Sequence, residues 1–216
     1  MIGSRRLLLC LLLASSVACL WVSAPAASRG LPFYDTADFT ARWDGTGVGR
    51  HRVAPFALLD QAGQSMTREA LEGRIHIASF IYTSCAGICP LITRRLTGVY
   101  AAVRDDPEVL LVSYSVTPEV DTVEVLGAFA EERGVDSASW KLVTGERGAI
   151  YRLARDSYFA DEDLGGERTA DDFLHTERVM LVDPELRIRG IYNGTLPVDM
   201  LSLIADVATL KKELGS

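Results

Sequence analysis

Two stretches of the chain are almost unbroken in hydrophobicity, Ile75 to Tyr82 and Val109 to Val116, and both are rich in β-branched and aromatic residues. That pattern suits central strands covered on both faces of a sheet. Between them Leu91, Leu96, Val99, Tyr100 and Val103 recur at helical spacing after Pro90, whose missing N–H costs nothing in a first turn. This helix is expected to end near Asp105-Asp106-Pro107. Further on, Val125, Leu126 and Phe129 predict a helix over Asp121 to Arg133 that stops at Gly134, Trp140 to Val143 reads as a short strand, and Glu146 to Arg155 as a helix.

The flanks follow the same logic. Val53 to Leu59 alternates as a strand does, and Asp60 to Gln64 is a turn signal, so a hairpin is expected there. Thr67 to Leu71 resembles one helical turn closed by Gly73. Phe173 to Val182 and Ile188 to Tyr192 flank the turn Asp183-Pro184-Glu185 as a second hairpin, and Pro197 to Leu210 forms a closing amphipathic helix with Lys211 and Lys212 at its C-terminal end. The order predicts an α/β, thioredoxin-like sandwich with a peroxiredoxin-like elaboration, an N-terminal β-hairpin and a C-terminal hairpin plus helix. No internal repeat interrupts it.

The first residues change the picture of where this domain works. Two arginines precede an apolar run from Leu7 to Val22, followed by small residues, which is an export signal with cleavage expected after Ala24 or Ala26. Spanning a bilayer takes roughly 20 apolar residues, so a retained leader would also serve as an anchor, with Arg5 and Arg6 on the cytoplasmic side. Ser16-Val17-Ala18-Cys19 approximates a bacterial lipidation box, and Ser4-Arg5-Arg6 resembles, more weakly, a twin-arginine signal. The expected organisation is residues 1–26 as export signal or membrane anchor, 27–52 as a tether with a short ordered piece near Asp38 to Trp43, and 53–213 as the folded domain. Its location is then extracytoplasmic, in a bacterial periplasm and tethered to the inner membrane through the N-terminal segment.

The 216 residues are 48% hydrophobic and carry a net charge of -7, enough chain for one domain of moderate size and too acidic a balance for nucleic acid. Of four cysteines, Cys10 and Cys19 fall in the leader. Only Cys85 and Cys89 remain for the domain, on the loop FIYTSCAGICP between the first central strand and the Pro90 helix. Cysteine acts as nucleophile or metal ligand only as thiolate, and a helix N-terminus favours the anion, so Cys89, directly before Pro90, is expected to be the better placed of the two. Two thiols at this spacing fit a structural disulfide in an oxidising compartment, a redox pair or a shared soft metal ion.

Three histidines are candidates for a third donor. His76 lies within an apolar strand and reads as a core or edge histidine. His51, between Arg50 and Arg52, reads as solvent-exposed. His175 stands between the acidic, glycine-containing stretch Ala160 to Asp172 and a strand, where a loop at the mouth of the sheet would bring it over the cysteines. Two thiolates and an imidazole suit copper, since sulfur favours Cu(I) and imidazole accepts Cu(I) or Cu(II). Zinc, with a fourth ligand or a water, fits the residue types as well.

With these residues in view, the sequence resembles the Sco/SenC family of copper-binding proteins. The family's Thr-x-Cys-x-x-x-Cys-Pro motif is met by Thr83, Cys85, Cys89 and Pro90. Leu31 to Tyr34, Asp38 to Thr40, Phe56 to Gly63, Ser115 to Thr122 and His175-Thr176 before Leu181-Val182-Asp183-Pro184 extend the likeness over nearly the whole exported region. One departure is Thr117 before Pro118, where the family commonly has aspartate; Asp121-Thr122 fits.

The resemblance implies a thioredoxin fold and one copper ion, Cu(I) or Cu(II), held by Cys85, Cys89 and His175. It further implies delivery of copper to the copper-bearing subunit of cytochrome c oxidase, with a thioredoxin-like reductant or another copper chaperone as further partners. Its rival is an enzyme, a thiol-disulfide reductase in which Cys85 and Cys89 keep the oxidase copper-site cysteines reduced. A peroxidase of the peroxiredoxin type fits less well, because Thr83-Ser84-Cys85 is one residue shorter than the usual peroxidatic context. A redox-inert module with a permanent disulfide is the remaining reading.

Overall fold

The computed structural model describes residues 30–43, 50–85, 87–160 and 176–215. Among them the chain forms nine strands in one sheet and four α-helices: β1 (Phe33–Tyr34), β2 (Ala41–Arg42), β3 (Ala57–Asp60), β4 (Ser65–Thr67), β5 (Ile75–Ile81), α1 (Cys89–Val103), β6 (Val109–Ser115), α2 (Val123–Glu132), β7 (Trp140–Thr144), α3 (Arg147–Arg152), β8 (Arg178–Val182), β9 (Ile188–Asn193) and α4 (Pro197–Leu214). The strand order is β2-β1-β9-β8-β5-β6-β7-β3-β4. The centre is parallel, with Ile75 to Ile81 of β5 paired residue for residue with Val109 to Ser115 of β6, while β8 runs antiparallel to β5 and β9 antiparallel to β8.

Every residue of β5 and β6 is buried, as their nearly continuous hydrophobicity predicts. Alternation along β5 sends Ile75, Ile77 and Ile81 into one core with Ile92, Leu96, Val99 and Val103 of α1 and Leu203, Val207 and Leu210 of α4. Ala78 and Phe80 enter the core on the other face, with Ile150 and Tyr151 of α3 and with Tyr158. Polar groups trapped in these layers are paired: the hydroxyls of Ser79 and Ser113 are 2.7 Å apart, and the Trp140 indole N–H donates to Ser113 Oγ at 3.0 Å.

Several element ends differ from the sequence expectation, each for a local reason. β3 starts at Ala57 rather than Val53, because its partner β4 reaches only that far and the Val53 N–H is taken instead by the Leu186 carbonyl. The helix expected from Asp121 begins at Val123, where the Thr122 hydroxyl caps the Val125 N–H at 3.4 Å and leaves Asp121 outside, turned into the protein. The helix expected over Glu146 to Arg155 is α-helical only to Arg152 and continues as a π-helical turn over Leu153–Ser157. α4 runs four residues past Leu210, to Leu214, and stops at Gly215, whose φ of 80° is the left-handed cap that glycine provides.

The largest departure concerns the stretch composition reads as tether. Beyond the order expected near Asp38 to Trp43, where Ala41–Arg42 forms β2, Phe33–Tyr34 forms a strand that joins β9 through Tyr34 and Ile188. Arg189 donates to the carbonyls of Pro32 at 3.0 Å and Leu31 at 2.7 Å, and the guanidinium groups of Arg50, Arg187 and Arg189 lie 4.6, 5.0 and 4.2 Å from the centre of the Phe33 ring. All but one of these partners lie about 150 residues downstream, so local composition carries no sign of them. Among the described residues no helix is long and apolar enough to cross a membrane; the leader lies outside them.

Candidate metal centre

The site is built where β5 gives way to α1. β5 ends at Ile81, the N–H of Cys85 turns back to the Tyr82 carbonyl at 3.3 Å, and α1 starts at Cys89 with Ile88 as its cap and Pro90 in its first turn. Cys85 and Cys89 are both free thiols and both half-buried. The loop therefore brings the two sulfurs together with no disulfide between them.

The two thiols differ in acidity, in the order opposite to the sequence expectation. For Cys85, burial opposes ionisation, but hydrogen bonds from the backbone of Cys89 and Gly87, from the Cys89 side chain and from the backbone of Ile88 outweigh it and hold the thiol below its ordinary value. The Gly87 N–H lies 3.3 Å from Cys85 Sγ. For Cys89, burial and the hydrogen bond to Cys85 push the thiol up to about 11. Proximity to Pro90 misleads because the amides of Gly87, Ile88 and Cys89, at and just before the helix start, are met by the Cys85 sulfur, while the Cys89 thiol is the more deeply buried of the two. Cys85 is accordingly expected to be alkylated first. With limiting iodoacetamide at pH 7.5, peptide mass spectrometry should find the label on Cys85 several-fold more often than on Cys89; equal labelling would contradict the assignment.

The histidines separate clearly. His76 is completely buried, as expected, with Nε2 3.1 Å from the Tyr158 hydroxyl, and burial, aided by the Arg74 charge, pushes its pKa down to about 3. His51 is not solvent-exposed as its basic neighbours suggest: it is half-buried, with Nε2 2.9 Å from the Ser157 carbonyl and its ring 4.4 Å from that of Phe159. Both histidines are thus engaged away from the thiols. His175 and the acidic stretch from residue 161 lie outside the described residues, and among the described residues no group of three metal-binding side chains is found.

Sequence reasoning missed one constellation at this site. Asp121 is fully buried and its carboxylate accepts from the Thr83 hydroxyl, the Thr83 N–H (3.3 Å), the Ser115 hydroxyl (2.7 Å) and the Thr117 hydroxyl (3.3 Å). The signals were the fit of Asp121-Thr122 to the family pattern and an aspartate directly before a threonine helix cap, past a largely apolar strand that carries Ser113 and Ser115.

Comparison with known proteins fits this geometry. The SCO1/SenC family profile matches residues 46–211. The chain belongs to the SCO1/SenC family. Among SCO1/SenC relatives, the SCO1 protein homolog of Bacillus subtilis is 30% identical over 166 residues, 74% of this chain and 85% of the relative. The solved structure of BsSco, a member of the Sco family of cytochrome c oxidase assembly proteins in which a disulfide switch was identified, is 28% identical and superposes with a TM-score of 0.64 over 75% of this chain and 94% of that one. Arabidopsis thaliana ScoI, crystallised with copper bound, is 25% identical with a TM-score of 0.57, covering 72% of this chain and 97% of its own. This SCO1/SenC chain thus has the thioredoxin-like α/β fold that its element order predicts.

Proposed function

We propose that this chain is an extracytoplasmic copper metallochaperone that binds one copper ion through Cys85, Cys89 and His175 and delivers it to the copper-bearing subunit of cytochrome c oxidase. The observation that carries this reading is the pair of free, half-buried thiols joined by hydrogen bonds on one loop at the end of β5. Related Sco proteins with this fold have been crystallised with copper bound. The third ligand gains support from topology. β8 runs antiparallel to β5, so its first residue, Arg178, lies at the edge of the sheet where β5 ends, and Arg178 follows His175 by only three positions.

Copper is cargo in this reading. A thiol of the acceptor attacks the bound ion while one donor ligand leaves, so a site with few ligands on a partly exposed loop favours hand-over above storage. The apolar leader holds the domain at the periplasmic face of the inner membrane, where the acceptor's copper site would be assembled. Anaerobic titration with Cu(I) and Cu(II) should give one ion per chain, with a thiolate-to-copper absorption for Cu(II). In His175→Ala that absorption should be lost and affinity should fall by at least about tenfold. Unchanged copper binding in the variant would sink the three-ligand site.

The unequal thiols favour a second reading, reduction of the acceptor's disulfide. The Cys85 thiolate would attack one sulfur of that disulfide to form a mixed disulfide, and the departing sulfur would take up a proton. Cys89 would then attack Cys85, closing the Cys85–Cys89 disulfide and releasing the acceptor as a dithiol, two electrons having passed to it. A thioredoxin-like reductant would restore the pair. This activity does not need His175, so turnover retained in His175→Ala alongside lost copper binding separates the two chemistries.

A further inference from the structure

Buried carboxylates normally face a basic partner or a metal. Asp121 has no ion-pair partner among the described residues, and its charge is instead met by three hydroxyls and one amide, with the N-terminus of α2 beginning immediately after it. Its own N–H is held by the Thr117 carbonyl at 2.9 Å, so the carboxylate is fixed from behind by the loop that follows β6. Two of the four hydrogen bonds reach across to a single residue, Thr83.

Thr83 is the second residue of the four-residue turn Tyr82–Cys85, which is closed by the Cys85 N–H on the Tyr82 carbonyl at 3.3 Å. The two sulfurs are therefore carried by separate supports. Cys89 is part of α1, whereas Cys85 hangs on a turn that the two Thr83–Asp121 hydrogen bonds tie to the loop following β6. We propose that Asp121 is the positioning residue for Cys85. Acting through Thr83, it clamps the turn so that the Cys85 sulfur faces Cys89 whether the thiols are free, joined or bound to a metal. Ordering the turn in advance lowers the entropic cost of closing anything between the two sulfurs.

The inference rests on the cysteine pair being the working site, as proposed above, but its test contains no metal, so its failure and the failure of the copper reading are distinguishable. The reaction is the equilibrium of the reduced protein with oxidised glutathione: the protein's dithiol becomes the Cys85–Cys89 disulfide, the glutathione disulfide breaks, and two glutathione thiols carry away the two protons. Thr83→Val, which removes one hydroxyl, should lower the closure constant about tenfold, and Thr83→Ser should restore it to within twofold of wild type. Ser115→Ala removes a different donor from Asp121 without touching the turn, so it should lower the thermal midpoint and leave closure unchanged. Should Thr83→Val fail to fold, the isosteric Asp121→Asn carries the test, with the same tenfold loss expected. A wild-type closure constant in the variant tested, or an equal loss in Ser115→Ala, would overturn the proposal.

Discussion

Cys85→Ser and Cys89→Ser are each expected to lose copper binding by more than about 100-fold, the upper end of what losing a supporting partner alone costs a metal site. The sulfur is a soft, ionisable donor, and Cys85 is already drawn toward the thiolate by the amides around it. A serine hydroxyl is hard, stays protonated at neutral pH and leaves the ion one thiolate short. Both positions are half-buried and the swap is nearly isosteric, so thermal stability should shift by no more than about 0.5 kcal/mol. The two variants should nonetheless differ in one respect. In Cys89→Ser the surviving Cys85 keeps its backbone donors and should still react readily with disulfides, whereas in Cys85→Ser the surviving Cys89 remains half-buried and sluggish. Calorimetric copper titration together with disulfide exchange kinetics on both variants measures this directly; wild-type copper affinity in either one would remove that sulfur from the ligand set.

The second large effect comes from acid. His76 is the second residue of β5 and has no solvent exposure, its Nε2 on the Tyr158 hydroxyl and its Nδ1 without a hydrogen-bond partner among the described residues. A proton there would have to be buried, which is why the pKa falls from 6.5 to about 3. Between those values the unfolded chain binds a proton that the native chain does not. Stability is therefore lost as pH falls through that window, at about 1.4 kcal/mol per unit, and reaches about 5 kcal/mol by pH 3. That is comparable to the whole stability of a marginal domain. Urea unfolding of wild type and His76→Leu at pH 7, 5 and 4 should show the variant losing less stability with each step down, by about the same 1.4 kcal/mol per unit. Parallel pH dependences would show that His76 is charged in the native state. At neutral pH the variant leaves the Tyr158 hydroxyl paired with Tyr114 at 3.0 Å, so the comparison is not clouded by a new orphan.

The central sheet and its helices were legible in the sequence because their causes are local and periodic. Unbroken apolar runs became β5 and β6, and the spacing of Leu96, Val99, Tyr100 and Val103 became α1. The cysteine loop was legible too, since a thiol pair between a buried strand and a proline-led helix has one place to be. Three features were not. The strand at Phe33–Tyr34 depends on Arg189 and Ile188, far along the chain. His51 looked exposed among its neighbours, yet its partners are Ser157 and Phe159. The acidity order of Cys85 and Cys89 turned on which sulfur the free amides reach, a matter of a few ångströms within one loop.

By itself the sequence determined that an acidic α/β domain presents two thiols at the head of a helix, because hydrophobic period and proline position act over a few residues at a time. Only the tertiary structure decided that the thiols are unequal, that His76 is locked away neutral, and that Asp121 reaches across from the β6–α2 loop to hold the cysteine turn. Each of those is a short-range force between groups that are distant in the chain, so it exists only once the fold has brought them within hydrogen-bonding reach.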